Sequence, residues 1–238
     1  VSWYVVDKYS AEMVAEFTSD LFMYYHWANS YEYVNETTGE LNIAVDIVID
    51  VNGTVYDALF INQMVYNWTW ATQMFCTGNL SRFVLPVNQS GSKVSPIRIN
   101  PYNGVEMPVI NYEKYNTMEY QYVYQVAVGT CDVNAPNRSQ FWDSLMKTTV
   151  SFDGNGETIV WTDEMNNNNT YVNEPIFVAN PGGTKEDDGL LLAEALDSTT
   201  NSSFLLVLDA TNMKEVARIE PSVIQTIPFG FHGRYYAN

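Results

Sequence analysis

The chain is poor in histidine, cysteine and positive charge. Among 238 residues there are two histidines and two cysteines, and 11 Lys and Arg stand against 28 Asp and Glu, for a net charge of −17. That balance argues against nucleic acid and anionic membrane surfaces as partners, since both would repel the chain. No apolar run is long enough to span a bilayer. With only Cys76 and Cys131 available, a bond between them, two buried free thiols and bonds to another chain all remain open; spacing alone does not choose. The start, Val1-Ser-Trp-Tyr, is neither a signal peptide nor an initiator methionine. The expectation is a processed chain or part of a longer product.

Hydrophobic residues are abundant, at 46%, and charged residues make up 16%, so the chain is globular and long enough to bury a sizeable core. Tyrosine is unusually common, with 17 residues, and favours strands. Asn-x-Ser/Thr occurs at Asn35, Asn52, Asn67, Asn79, Asn88, Asn137, Asn168 and Asn201. Chance would give about three. The excess predicts a glycosylated, secreted protein, against the plainer alternative of an Asn-rich composition.

Along the chain the dominant pattern is short strands. Residues 10–25 pass for a short helix, but the aromatic run from Phe22 to Ala28 reads as a buried strand. Residues 41–51 are β-branched and partly alternating, and Asn52-Gly53 follows as a turn. Residues 57–75 have mixed periodicity and read as partly helical. Arg82–Asn88 is an edge strand or strand end because of Pro86. Further strands are expected near 106–112 and over 120–128. A hairpin over 145–152 and 157–162 is expected across Asp153-Gly-Asn-Gly156. Shorter apolar strands follow at 175–179, 189–193, 204–208 and 213–219. Turn signals every 8–12 residues imply an all-β sandwich, barrel or propeller. No linker or exact repeat divides the chain.

The two histidines, His26 and His232, lie 206 positions apart. His232 sits in Ile227-Pro-Phe-Gly-Phe-His-Gly233, between two glycines that allow close backbone approach. Neutral imidazole is the commonest protein metal ligand. On residue type alone, however, a lone histidine is more often a satisfied core residue. By the same logic Glu174-Pro reads as a solvated loop end, and Glu186-Asp-Asp as a solvated acidic turn without calcium-loop spacing. Phe22, Tyr24, Tyr25, Trp27, Phe229 and Phe231 read as core residues first.

Several segments, in order, carry a family resemblance. They are Tyr25-His-Trp-Ala-Asn-Ser-Tyr-Glu32, Arg82-Phe-Val-Leu-Pro-Val-Asn88, Glu106-Met-Pro-Val-Ile-Asn-Tyr112, Glu174-Pro-Ile-Phe-Val-Ala-Asn-Pro181, Glu186-Asp-Asp-Gly189, Phe204–Ala210 and Ile227–Gly233. Together they resemble the carotenoid cleavage oxygenase family, which includes the carotene oxygenases and the retinoid isomerase of the visual cycle. The resemblance implies an all-β fold, a seven-bladed β-propeller with an iron(II) on its axis. Four histidines from different blades bind that iron, and glutamates accept hydrogen bonds from the ligand imidazoles. Carried across by motif, His26 and His232 would be the third and fourth ligands. Glu106 and Glu174 would be two of the three supporting glutamates. Aromatic residues near the histidines would then also line an apolar tunnel for a polyene.

The family's chains are about twice this long. The resemblance therefore implies that residues 1–238 are the C-terminal half of one propeller domain, supplying its later blades. A missing N-terminal half, expected as a separate partner chain, would complete the propeller and supply the other histidines. Two functions follow: oxidative cleavage of a carotenoid or other apolar polyene with O2, or non-catalytic carotenoid binding by a secreted pigment or carrier glycoprotein.

Overall fold

The computed structural model describes residues 1–51, 66, 75–131, 141–223, 225–228, 230 and 232–236. The expected Asn52-Gly53 turn and nearly all of the partly helical stretch over 57–75 lie outside them, as do Asn52, Asn67, Asn137, Phe229 and Phe231. Among the described residues strands dominate. The first sheet pairs β1 (Ser2–Val6) with β2 (Met13–Thr18). The second runs β3 (Met23–Val34), β4 (Leu41–Asp50), β5 (Asn79–Pro86) and β6 (Ile97–Arg98). The third runs β7 (Val105–Val109), β8 (Tyr122–Ala127), β9 (Ser144–Thr149) and β10 (Thr158–Thr162). The fourth orders β11 (Thr170–Val172), β13 (Gly189–Asp197), β14 (Ser202–Asp209) and β15 (Glu215–Ile219), with β12 (Ile176–Ala179) also on β13. Within these sheets all pairings are antiparallel, and most join strands adjacent in sequence.

The sheets pack in series, with one apolar cluster at each junction. Trp3, Ala15 and Phe17 of the first sheet meet Ile47, Ile49 and Phe83 of the second. Ala44, Val48 and Leu80 of the second meet Val105, Val123 and Met146 of the third. Tyr124, Val126 and Leu145 of the third meet Leu191, Ala193 and Leu206 of the fourth. The central strands of the second and third sheets are apolar on both faces because these two sheets are each covered twice. From Ala44 to Asp50 the whole of β4 is buried, which explains its continuous β-branched run.

The helical reading of residues 10–25 is overturned. Met13–Thr18 is a strand paired with β1, and Ala15 and Phe17 alternate inward, at 2% and 1% exposure. The period-2 pattern of four residues prevails over the helix propensity of Ala, Glu and Met, because pairing and burial outweigh propensity. The acidic turn also differs from expectation. Glu186 and Asp187 are buried. The Glu186 carboxylate accepts the N–H groups of Gln121 and Tyr122, and Asp187 pairs with Lys147 at 2.6 Å. Both carboxylates tie the loop before β13 onto the third sheet.

Two further devices join the second and third sheets. Asp46 of β4 holds Arg82 of β5 through two bonds, to Nε at 2.7 Å and to Nη2 at 2.6 Å, and also accepts Tyr120 Oη at 2.8 Å. The Asp46 and Arg82 side chains are both 0% exposed. The second device is a Cys76–Cys131 disulfide, with Cα atoms 5.5 Å apart.

Candidate metal centre

The histidines and glutamates come from the beginnings and ends of successive sheets. His26 lies on β3, Glu106 on β7, Glu174 just before β12, and His232 in the segment after β15. Irregular pairing aims two of them. Between Tyr24↔Ile49 and Trp27↔Ile47, β3 advances three residues while β4 advances two. His26 occupies that bulge. Between Glu106↔Val126 and Val109↔Tyr124 the same mismatch recurs on β7, and Met107 there has φ 50°. Bulges redirect side chains next to active sites. Here they turn a strand residue out of the alternating pattern that a straight strand would impose.

The geometry brings all four residues together. His26 Nδ1 lies 2.6 Å from Glu106 Oε2, and the same oxygen accepts the Met107 N–H at 2.6 Å. His232 Nδ1 lies 3.0 Å from Glu174 Oε1, while Glu174 Oε2 accepts the Gly233 N–H at 2.9 Å. The two Nε2 atoms are 3.3 Å apart, with ring planes at 79°. An ionised carboxylate only accepts, so each imidazole places its proton on Nδ1. Both Nε2 lone pairs then face one region of space. Nitrogens bound at ~2.0–2.1 Å to one metal sit roughly 2.8–3.4 Å apart for right-angle to tetrahedral arrangements, so the spacing fits two ligands of one ion. Burial disfavours protonated His26, but the bonded Glu106 outweighs it and leaves the imidazole pKa raised. A cation at Nε2 would compete with that second proton.

Two histidines do not make a complete centre. No cluster of three or more His, Cys, Asp and Glu at metal-binding distance occurs among the described residues. A cavity of about 620 Å³ between the second and third sheets is lined by residues such as Tyr31, Arg82 and Phe152, and by none of the four site residues. Beside His26, Tyr24 and Trp27 are each 45% exposed, whereas Phe22 packs inward on Trp3 and Phe83. Tyr25 is half-buried.

Residue-type reasoning missed three polar groups around the centre. Asn29 donates its amide to Tyr115 O and Met118 O and accepts the Thr117 N–H, fixing the turn after β7. Asn173 donates to Gly230 O at 2.5 Å. Glu194 on β13 has its carboxyl pKa pushed up by burial, against hydrogen bonds from the Gly230 N–H and the Asn173 side chain. The position of Asn29 inside the His26 motif was a usable signal; nothing local marks Asn173 or Glu194. Of the sequons described, Asn88, Asn168 and Asn201 are exposed and Asn35 is half-buried. Asn79 is buried, its amide donating to Ile49 O and its Oδ1 accepting Ser81 Oγ, so a glycan there is incompatible with this fold.

Comparison with known proteins identifies the family. Residues 1–237 match the family described as Retinal pigment epithelial membrane protein (RPE65). The carotenoid isomerooxygenase of Galleria mellonella is 30% identical over 96% of this chain, and the mitochondrial carotenoid-cleaving dioxygenase of Macaca fascicularis is 26% identical over 98%. The chain spans 42% and 44% of those two proteins. Among solved structures, the lignostilbene dioxygenase of Pseudomonas brassicacearum superposes with a TM-score of 0.70 at 18% identity, over 94% of this chain and 44% of the other. A cobalt-substituted oxygenase from Synechocystis gives a TM-score of 0.60 at 22% identity, over 87% and 38%. The match over nearly the full length, together with the ordered motifs and the paired His–Glu units, places the chain in the carotenoid oxygenase family.

Proposed function

We propose that residues 1–238 form the C-terminal half of a carotenoid-oxygenase propeller and contribute half of a four-histidine iron(II) site that cleaves an apolar polyene. The observation that carries this reading is the convergence of two Nδ1-anchored imidazoles at 3.3 Å between their Nε2 atoms. The sequence holds only these two histidines. The other two ligands come from the N-terminal half, whether on the same polypeptide or on a partner chain.

In this reading Glu106 and Glu174 hold the Nδ1 protons, fix both rings and make Nε2 a better donor to the metal. Iron(II), when bound, supplies the electron transfer that lets one O2 react with one C=C bond to give two carbonyl groups. The protein positions one double bond and excludes water. Tyr24 and Trp27 offer aromatic surface to a long hydrocarbon next to His26.

The test is elemental analysis of the native assembly, purified without chelator, followed by polyene assays. One iron per chain is expected, with O2 consumed one for one with double bonds lost. His26→Ala and His232→Ala should abolish both. Absence of iron would refute the enzyme reading.

A second reading is a secreted glycoprotein that binds a carotenoid without cleaving it. It is favoured by the Cys76–Cys131 disulfide, which is the habit of oxidising compartments, and by the exposed sequons. A stable carotenoid in iron-free protein would select it.

A further inference from the structure

His232 has an unusual attachment. Its side chain is 51% exposed, and it lies thirteen positions beyond Ile219, where β15 ends. No strand or helix is assigned among the described residues from 220 onward. A metal ligand must be held within about 0.5 Å of its working position. The structure must therefore fix this segment by other means, and discrete polar contacts with the fourth sheet do so.

They occur at three levels. At the first, Ser203 of β14 donates its N–H to Gln225 O at 2.8 Å, and its Oγ accepts the Ile227 N–H at 2.9 Å. At the second, Asn173 and Glu194 meet Gly230. Val172 pairs with Ala195, and the Asn173 N–H donates to Glu194 O at 2.9 Å, so these two residues are cross-strand neighbours with side chains on one face. The Asn173 amide bonds Gly230 O and the Glu194 carboxyl takes the Gly230 N–H. One residue, Gly230, is thus gripped on both its N–H and its C=O, two residues before His232. At the third, Glu174 bonds His232 Nδ1 and the Gly233 N–H.

The second level is costly. Glu194 Oε1 is buried and has no hydrogen-bond partner among the described residues. An orphaned carboxyl oxygen in a desolvated place carries a desolvation penalty that no partner offsets. A purely structural position would be better served by an apolar side chain. What this carboxyl provides in return is its hold on Gly230.

We infer that Asn173 and Glu194 are positioning residues for His232. They form a clasp on the Gly230 backbone that sets the direction of the imidazole before any metal arrives. Glu174 then fixes the ring, whereas the clasp fixes the main chain that carries it. This inference rests on the metal-site reading above.

The experiment uses the native assembly loaded with Co(II), whose visible spectrum reports ligand geometry. Wild type, Glu194→Ala, Asn173→Ala, Glu194→Gln and Ser203→Ala are compared by chelator competition, by spectrum and by hydrogen exchange of the segment over 225–236. The expected result is a Co(II) affinity about tenfold weaker in Glu194→Ala and Asn173→Ala, with an altered spectrum and faster exchange at 230–233. Glu194→Gln retains an oxygen acceptor for the Gly230 N–H and should restore the spectrum. Ser203→Ala should loosen only the upstream part and leave the spectrum unchanged.

Wild-type affinity and spectrum in Glu194→Ala would overturn the inference. So would a Ser203→Ala spectrum altered as strongly as that of Glu194→Ala, or failure of Glu194→Gln to rescue. If wild type takes up no Co(II), the metal-site reading fails instead. The clasp then stands or falls on hydrogen exchange alone, where unchanged protection at 230–233 in both alanine variants refutes it.

Discussion

Asp46→Ala is the most demanding perturbation that the fold allows without touching the metal centre. It removes both acceptors of the Arg82 guanidinium and the acceptor of Tyr120 Oη. Arginine stays charged under these conditions, and Arg82 is fully buried. Its Nη1 already lacks a hydrogen-bond partner among the described residues; its face rests on Phe152 at 4.1 Å and Tyr31 at 5.5 Å. The variant therefore leaves a buried cation with no counter-ion. Breaking one side of such a pair costs about 3–5 kcal/mol. For a chain of this size that lowers Tm by roughly 6–20 °C, at about 2–4 °C per kcal/mol. Because Asp46 and Tyr120 bridge the sheets that carry His26 and Glu106, their ring-to-carboxylate geometry should loosen as well. Replacing the whole group, as Asp46→Leu/Arg82→Met/Tyr120→Phe, removes every orphan and should restore stability to within about 2 kcal/mol of wild type. Chemical denaturation of the three proteins decides the matter. An Asp46→Ala cost below about 1 kcal/mol, or a triple variant no better than the single one, refutes the reasoning.

Other expectations are simpler. Reducing the Cys76–Cys131 bond, or replacing both residues by Ser, opens a link across 55 residues; chain entropy puts the loss at about 4 kcal/mol, read as a lower Tm with dithiothreitol. Gly189→Ala would place a Cβ 2.5 Å from Val178 O and 3.2 Å from Ala179 Cα, both backbone atoms of the paired strand, so a cost of about 1–3 kcal/mol is expected in denaturation. Burial first of all pushes the Tyr31 pKa up to about 12. The unfolded chain releases this proton near pH 10, so this contribution to stability is present below that pH and is lost up to about 12. Tyr31→Phe should flatten that part of the alkaline unfolding curve, and an unchanged slope would count against the burial argument.

Most of the strand framework was legible because its cause is local. The β-branched run at 41–51, the alternation at 120–128 and the hairpin flanking Asp153-Gly-Asn-Gly156 each carry their own pattern and turn chemistry. Residues 13–18 were misread because their inward faces, Ala15 and Phe17, are few and only pairing with β1 reveals the period. Glu186 and Asp187 were misread because a solvated carboxylate and one that caps buried N–H groups look identical in a sequence. The meeting of His26 with His232 was visible only through family motifs, since no local rule connects positions 206 apart. Asn173 and Glu194 had no such signal. Their role depends on a segment crossing them from elsewhere in the fold.

The arrangement of the site residues also has a thermodynamic consequence. Each His–Glu unit crosses a boundary between chain segments: His26 on the second sheet leans on Glu106 of the third, and His232 beyond the last strand leans on Glu174 of the fourth. An ion held by both imidazoles would therefore act as a clamp across stacked sheets, binding the assembled form and not the separated one. At a hundredfold excess over its dissociation constant such a ligand adds about 2.7 kcal/mol to folding. The linkage is reciprocal. A substitution that loosens a sheet junction far from the histidines should weaken metal affinity, and chelation should make distant junctions easier to open. In this architecture metal occupancy and inter-sheet cohesion are two measurements of one equilibrium.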